Sequence, residues 1–108
     1  MPATTCIEPL LEPGVSAVLR DRKAEAAFQT ACDVARSCFP EMRLLQVDLL
    51  DDPDVDHRVW VMLNVFLPGP YSVEALSNEQ LRFHEAMVMQ VPLDLNPLFG
   101  LSVRFQPE

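Results

Sequence analysis

Three aspartates stand at alternating positions in one acidic stretch, Asp52, Asp54 and Asp56. The first three ligands of a calcium-binding loop have this spacing. Such a loop also needs a glycine at its sixth position and a glutamate at its twelfth. Those two positions hold His57 and Leu63, so the pattern does not match and no metal site is assigned. The stretch predicts a solvated acidic turn, with weak cation binding, joined by Asp51, as the alternative.

His84 lies in a stretch whose apolar residues repeat with the period of a helix, namely Leu81, Met87, Val88 and Val91. An ionisable group on an apolar helix face is a candidate ligand-binding site, and a hydrogen-bonded core histidine is the alternative. Glu85 points about 100° away around the helix, so the two residues do not form a catalytic pair. A small enzyme or ligand binder would need a pocket around His84, with Asp48 or Glu85 supplying a carboxylate.

The chain has three cysteines, Cys6, Cys32 and Cys38. Cys32 and Cys38 lie six residues apart on a predicted helix, whereas zinc or redox pairs typically have two intervening residues. We therefore expect reduced thiols, buried in the core. The first fourteen residues lack a cationic start followed by an apolar run, so no signal peptide is predicted and the expected location is cytoplasmic.

The net charge of the chain limits the classes of molecule that it is expected to bind. It has 8 Lys and Arg against 16 Asp and Glu, which gives a net charge of -8. Binding to nucleic acid or to an anionic membrane surface requires a basic surface, so both are disfavoured. Glycines occur only at Gly14, Gly69 and Gly100, so a glycine-rich phosphate loop is excluded and no cofactor is predicted.

Two helices are predicted. The first covers residues 16–38 and ends before Pro40. A change of apolar face predicts either a break near residues 20–22 or first turns that pack against another part of the molecule. The second runs from Ser77 to Gln90, with Ser77 and Gln80 as its capping box, and residues 72–76 could add a preceding turn.

Three strands are predicted, at residues 42–50, 59–67 and 101–105. The strand at 59–67 is apolar on both faces, which is typical of a central strand. Proline spacing in residues 1–14 favours an extended arm that Ile7, Leu10 and Leu11 could dock on the body.

The predicted fold is therefore α+β, with element order α-β-β-α-β. We expect a two-layer sandwich of a three-stranded mixed sheet and two helices in a single domain at residues 15–108. The order is similar to that of KH-type RNA-binding domains, but their GxxG loop and basic groove are both missing from this sequence.

Three large residues share the second face of the apolar strand, Trp60, Met62 and Phe66. Two helices are few for two sheet faces, and large uncovered apolar faces are rare on monomers. The sequence thus predicts a non-enzymatic interaction or regulatory module, a homodimer whose acidic surface meets a basic protein, as antitoxin-like or immunity-like proteins do. The alternative is the small enzyme or ligand binder around His84.

Overall fold

A computed structural model of the chain describes residues 9–51, 54 and 59–106. These residues form four strands, three α-helices and one 3-10 turn, in the order β1 (Leu10–Leu11), α1 (Val15–Asp21), α2 (Glu25–Cys38), β2 (Leu44–Asp51), β3 (Val59–Pro68), α3 (Val73–Gln90), the turn Asn96–Leu98 and β4 (Phe99–Gln106). The predicted α+β class is confirmed. The described residues contain one strand and one helix more than the sequence predicts.

The extra helix arises because the predicted first helix is broken in two. Lys23 adopts a left-handed backbone conformation with φ of 55°, and the amide of Ala24 donates a hydrogen bond of 2.8 Å to the carbonyl of Leu19. The break lies just after the point at which the apolar face changes. As a result, α1 and α2 each bury a separate row of apolar side chains. The break predicted near residues 20–22 is confirmed to within one or two positions.

The start of α3 differs from the prediction. The helix begins at Val73, and the hydroxyl of Ser72 accepts a hydrogen bond of 3.3 Å from the amide of Ala75. Ser77 lies inside the helix and is exposed, so the predicted capping box at Ser77 and Gln80 is wrong. The helix begins earlier because Ser72 already caps its free amide groups.

The strands form one sheet in the order β1-β2-β3-β4. Strands β2 and β3 are an antiparallel pair, and β4 returns parallel to β3 after α3, as predicted for a central β3. The additional strand β1 pairs two residues in parallel with β2 at the edge of the sheet. Residues 1–8, which include Ile7, lie outside the described part of the chain.

One face of the sheet carries the core. Four consecutive inward positions of β3 are fully buried, Val61, Leu63, Val65 and Leu67. Buried residues of α1, α2 and α3 belong to the same core cluster, and the Phe39 and Phe83 rings of this core lie 6.2 Å apart. All three helices therefore pack on the same face of the sheet.

The buried face of α3 matches the predicted one only in part. Met87 and Val91 are buried as predicted, whereas Leu81 and Val88 are 59% and 61% exposed and His84 is exposed as well. Glu79 and Phe83 complete the buried face, so that Glu79, Phe83 and Met87 follow one another at a four-residue spacing. The sequence missed this face because one of its positions holds a glutamate, which a pattern of apolar residues does not select.

Candidate interaction surface

The second face of the sheet is the largest feature that the core leaves unused. Because side chains alternate along a strand and hydrogen-bonded neighbours point to the same side, the register assigns this face directly. It holds Leu10 of β1, Leu44, Gln46, Asp48 and Leu50 of β2, Trp60, Met62, Asn64 and Phe66 of β3, and Gly100, Ser102 and Arg104 of β4. We call this set of residues the open face.

The helices do not cover the open face. Every helix contributes its buried residues to the core on the other side of the sheet. The large apolar residues of the open face belong neither to that core nor to the partly buried residues packed against it. Over residues 9–51, 54 and 59–106, therefore, no helix lies on this side.

The three residues predicted to form an interface lie together on the open face. Trp60, Met62 and Phe66 are each half-buried and alternate along β3. Leu44 and Leu50 of β2, which were not among the predicted interface residues, lie directly beside Phe66 and Trp60 on this face. Alternation along the first predicted strand is the signal that could have found them.

Two small-scale contacts shape the centre of the open face. A Cβ atom added at Gly100 would lie 2.6 Å from the Met62 sulfur, so the missing side chain leaves room for the thioether to lie over β4. Asn64 is only 4% exposed, and its side-chain amide donates a hydrogen bond of 3.1 Å to the carbonyl of Gln46. The centre of the face is thus a methionine beside a polar amide that is tied to β2.

His84 does not lie in a pocket where the predicted carboxylates meet it. Its ring is exposed on α3 and meets the Phe83 ring edge-on, with centroids 5.6 Å apart. Asp48 belongs to the open face, on the opposite side of the sheet from α3, so the structure does not bring these two residues together. Glu85 is exposed next to His84 in the sequence.

The buried ionisable pair lies elsewhere, between α3 and the segment that precedes it. The Tyr71 hydroxyl donates a hydrogen bond of 2.6 Å to a carboxylate oxygen of Glu79, which is 7% exposed. Burial, followed by the neighbouring Glu79, raises the pKa of Tyr71 to about 12. The pair holds the Tyr71 segment against α3, and sequence patterns gave no sign of it.

The described cysteines are unsuited to nucleophilic chemistry. Cys32 and Cys38 are buried and not paired in a disulfide, as predicted for core thiols. Burial raises the pKa of Cys32 to about 11 and also raises the pKa of Cys38. Cys38 lines an open depression of about 260 Å³ between α2 and α3, but a thiol with a raised pKa is a weak nucleophile at neutral pH.

Metal binding gains no support from the described residues. No three His, Cys, Asp or Glu side chains among them are grouped to hold a metal ion. Asp54 is exposed, while Asp52, Asp56 and His57 of the acidic turn lie outside the described residues. Nor does this part of the chain include a helix with the length and apolarity needed to cross a membrane.

Comparison with models of protein families, with curated proteins and with solved structures gave no match to the chain. Within the described residues, the open face is the structural feature that most strongly indicates a function.

Proposed function

We propose that this protein is a non-enzymatic interaction module that forms a homodimer through the open face and presents the acidic surface that remains exposed to a basic protein. The observation that carries the proposal is the apolar sheet face that lies outside the core and under no described helix. Exposing such a face to water is unfavourable, and burying it against a second protein removes that cost.

The size of the open face suits a dimer of modest affinity. Three strands at a spacing of about 4.8 Å and eight residues at about 3.4 Å each give a face of roughly 400 Å². Two such faces bury about 800 Å², which is below the standard size of a stable interface and in the range of weak, transient ones. We therefore expect the dimer to dissociate on dilution.

The charge distribution favours a basic partner for the assembled dimer. A dimer carries twice the net charge of -8, and packing through the open face leaves the helix layer outside. Residues 15–38 and 73–90, which form the helix layer, hold six Asp and Glu against five Arg and Lys. The excess of carboxylates therefore lies in the loops and strands, where Glu12, Glu41, Asp51, Asp54 and Asp94 are exposed. Such a surface attracts basic proteins and repels nucleic acid and anionic lipid.

Light scattering on a sizing column, repeated across a dilution series, tests the homodimer. Trp60 is the only tryptophan of the chain and lies on the open face, so its fluorescence should change over the same range of concentration. Phe66→Asp places a charge on the open face and should leave a folded monomer at every concentration.

Met89→Asp is the matched control, because Met89 is 85% exposed on α3. This variant makes a similar change from an apolar to an acidic side chain but should dimerise like the wild type. A wild-type chain that stays monomeric at all concentrations would overturn the proposed homodimer.

A further inference from the structure

Two residues of opposite charge lie at symmetrically placed positions on the open face. Asp48 lies on β2 opposite Met62, and Arg104 lies on β4 opposite Phe66. Asn64 is midway between Met62 and Phe66 on β3. The two charged residues are thus displaced from Asn64 by equal and opposite steps, each of one strand across the sheet and two residues along it.

Neither charged side chain has a partner among the described residues. Arg104 is exposed and Asp48 is half-buried, and neither side chain forms a hydrogen bond or ion pair with another described residue. An apolar partner that covered the open face would leave both charges buried and unpaired, which is strongly unfavourable. The occupant of the face must therefore supply a cation over Asp48 and an anion over Arg104.

We infer that this occupant is a second copy of the chain, packed open face to open face so that Asp48 of each copy meets Arg104 of the other. The inference rests on the proposed homodimer and specifies its geometry. A two-fold axis that lies between the sheets, over Asn64 and perpendicular to the line from Asp48 to Arg104, exchanges the two positions. Both ion pairs then form at once, as an isologous interface requires.

The distances permit this arrangement. One strand across and two residues along correspond to about 4.8 and 6.8 Å, so the strands of the two sheets cross at roughly 70°, near the orthogonal class of sheet packing. Face-to-face sheets lie about 10 Å apart, a gap that an arginine and an aspartate side chain can bridge together. Asn64 lies on the axis but is buried and already donates to the Gln46 carbonyl, so the two reciprocal ion pairs define the geometry.

Charge reversal tests the reciprocal pair. Asp48→Arg and Arg104→Asp each bring like charges together twice in one dimer, so each should raise the dimer dissociation constant by about tenfold or more. The double variant restores opposite charges and should return the constant to within about threefold of the wild-type value. Sedimentation equilibrium measures all four proteins.

Matched controls lie on the other side of the molecule. Glu85→Arg on α3 and Arg20→Asp on α1 make the same changes of net charge at exposed positions, and should leave the dissociation constant within about threefold of wild type. Circular dichroism confirms that each variant is folded. If a reversal variant does not fold, Asp48→Asn, Arg104→Gln and their double variant form a second cycle, in which the combined loss should be less than the product of the single losses.

The outcomes separate the two proposals. A wild-type monomer at every concentration overturns the homodimer and this geometry together. A wild-type dimer whose single reversals behave like the controls, or whose double reversal is not restored, overturns the Asp48–Arg104 pairing and leaves the homodimer standing. Recovery in the double variant, with unchanged controls, supports the pairing.

Discussion

Tyr71 is the only tyrosine of the chain, so its ionisation can be followed by phenolate absorbance without a second signal. Its burial and, after that, its hydrogen bond to buried Glu79 raise its pKa to about 12. The neutral phenol is therefore favoured in the folded state, and the resulting stability is complete below the unfolded pKa of about 10. We expect this stability to be lost as the pH rises from about 10 to 12.

The variant Tyr71→Phe should lower the free energy of unfolding by about 1–2 kcal/mol at neutral pH, because Glu79 remains buried without its donor. Urea unfolding of wild type and variant measures the difference. Glu85→Gln, at an exposed position of the same helix, should change stability by less than about 0.5 kcal/mol. Equal effects of the two substitutions would contradict a specific role for the Tyr71–Glu79 bond.

At the scale of the element, the start of α3 gives a direct test of which serine is the cap. Ser72→Ala removes the side-chain acceptor for the amide of Ala75 and should cost about 1 kcal/mol of stability. Ser77→Ala, inside the helix, should be neutral or slightly stabilising, since alanine is the better helix former. The reverse ranking, measured by urea unfolding, would place the helix start at Ser77.

The junction between α1 and α2 depends on the left-handed backbone of Lys23. Glycine adopts this conformation without the steric cost that lysine bears. Lys23→Gly should therefore be neutral or stabilise the protein by about 0.5–1 kcal/mol. Arg20→Gly, three residues earlier in α1, should instead destabilise it by about 1 kcal/mol in the same assay. A loss of stability with Lys23→Gly would contradict the described junction.

The elements also show which parts of the fold a sequence can predict. Strand β3 was predictable because eight of the nine residues 59–67 are apolar, on both faces and interrupted only by Asn64, which is typical of a central strand. The buried side of α3 was not, because Glu79 is stabilised there by Tyr71, a contact made only in the folded chain. Trp60, Met62 and Phe66 could be grouped by alternation alone. The opposed positions of Asp48 and Arg104 could not, since they depend on the register of three strands.

At the scale of the whole molecule, the two faces of the sheet have different roles. The helices complete one core on one side of the sheet, while the other side keeps large apolar residues and two charged side chains without a partner among the described residues. If the open face is buried only in a dimer, folding and association are linked, and stability must depend on protein concentration.

Thermal unfolding measures this linkage. We expect the melting temperature of the wild type to rise by about 3 °C for each tenfold increase in concentration over the range in which the dimer forms. Phe66→Asp should melt at the same temperature at every concentration, because a monomer unfolds without a change in particle number. Met89→Asp should keep the wild-type slope. Light scattering could show a dimer whose melting temperature does not change with concentration. Dimerisation would then not stabilise the folded chain, and the open face would not be the surface buried in the dimer.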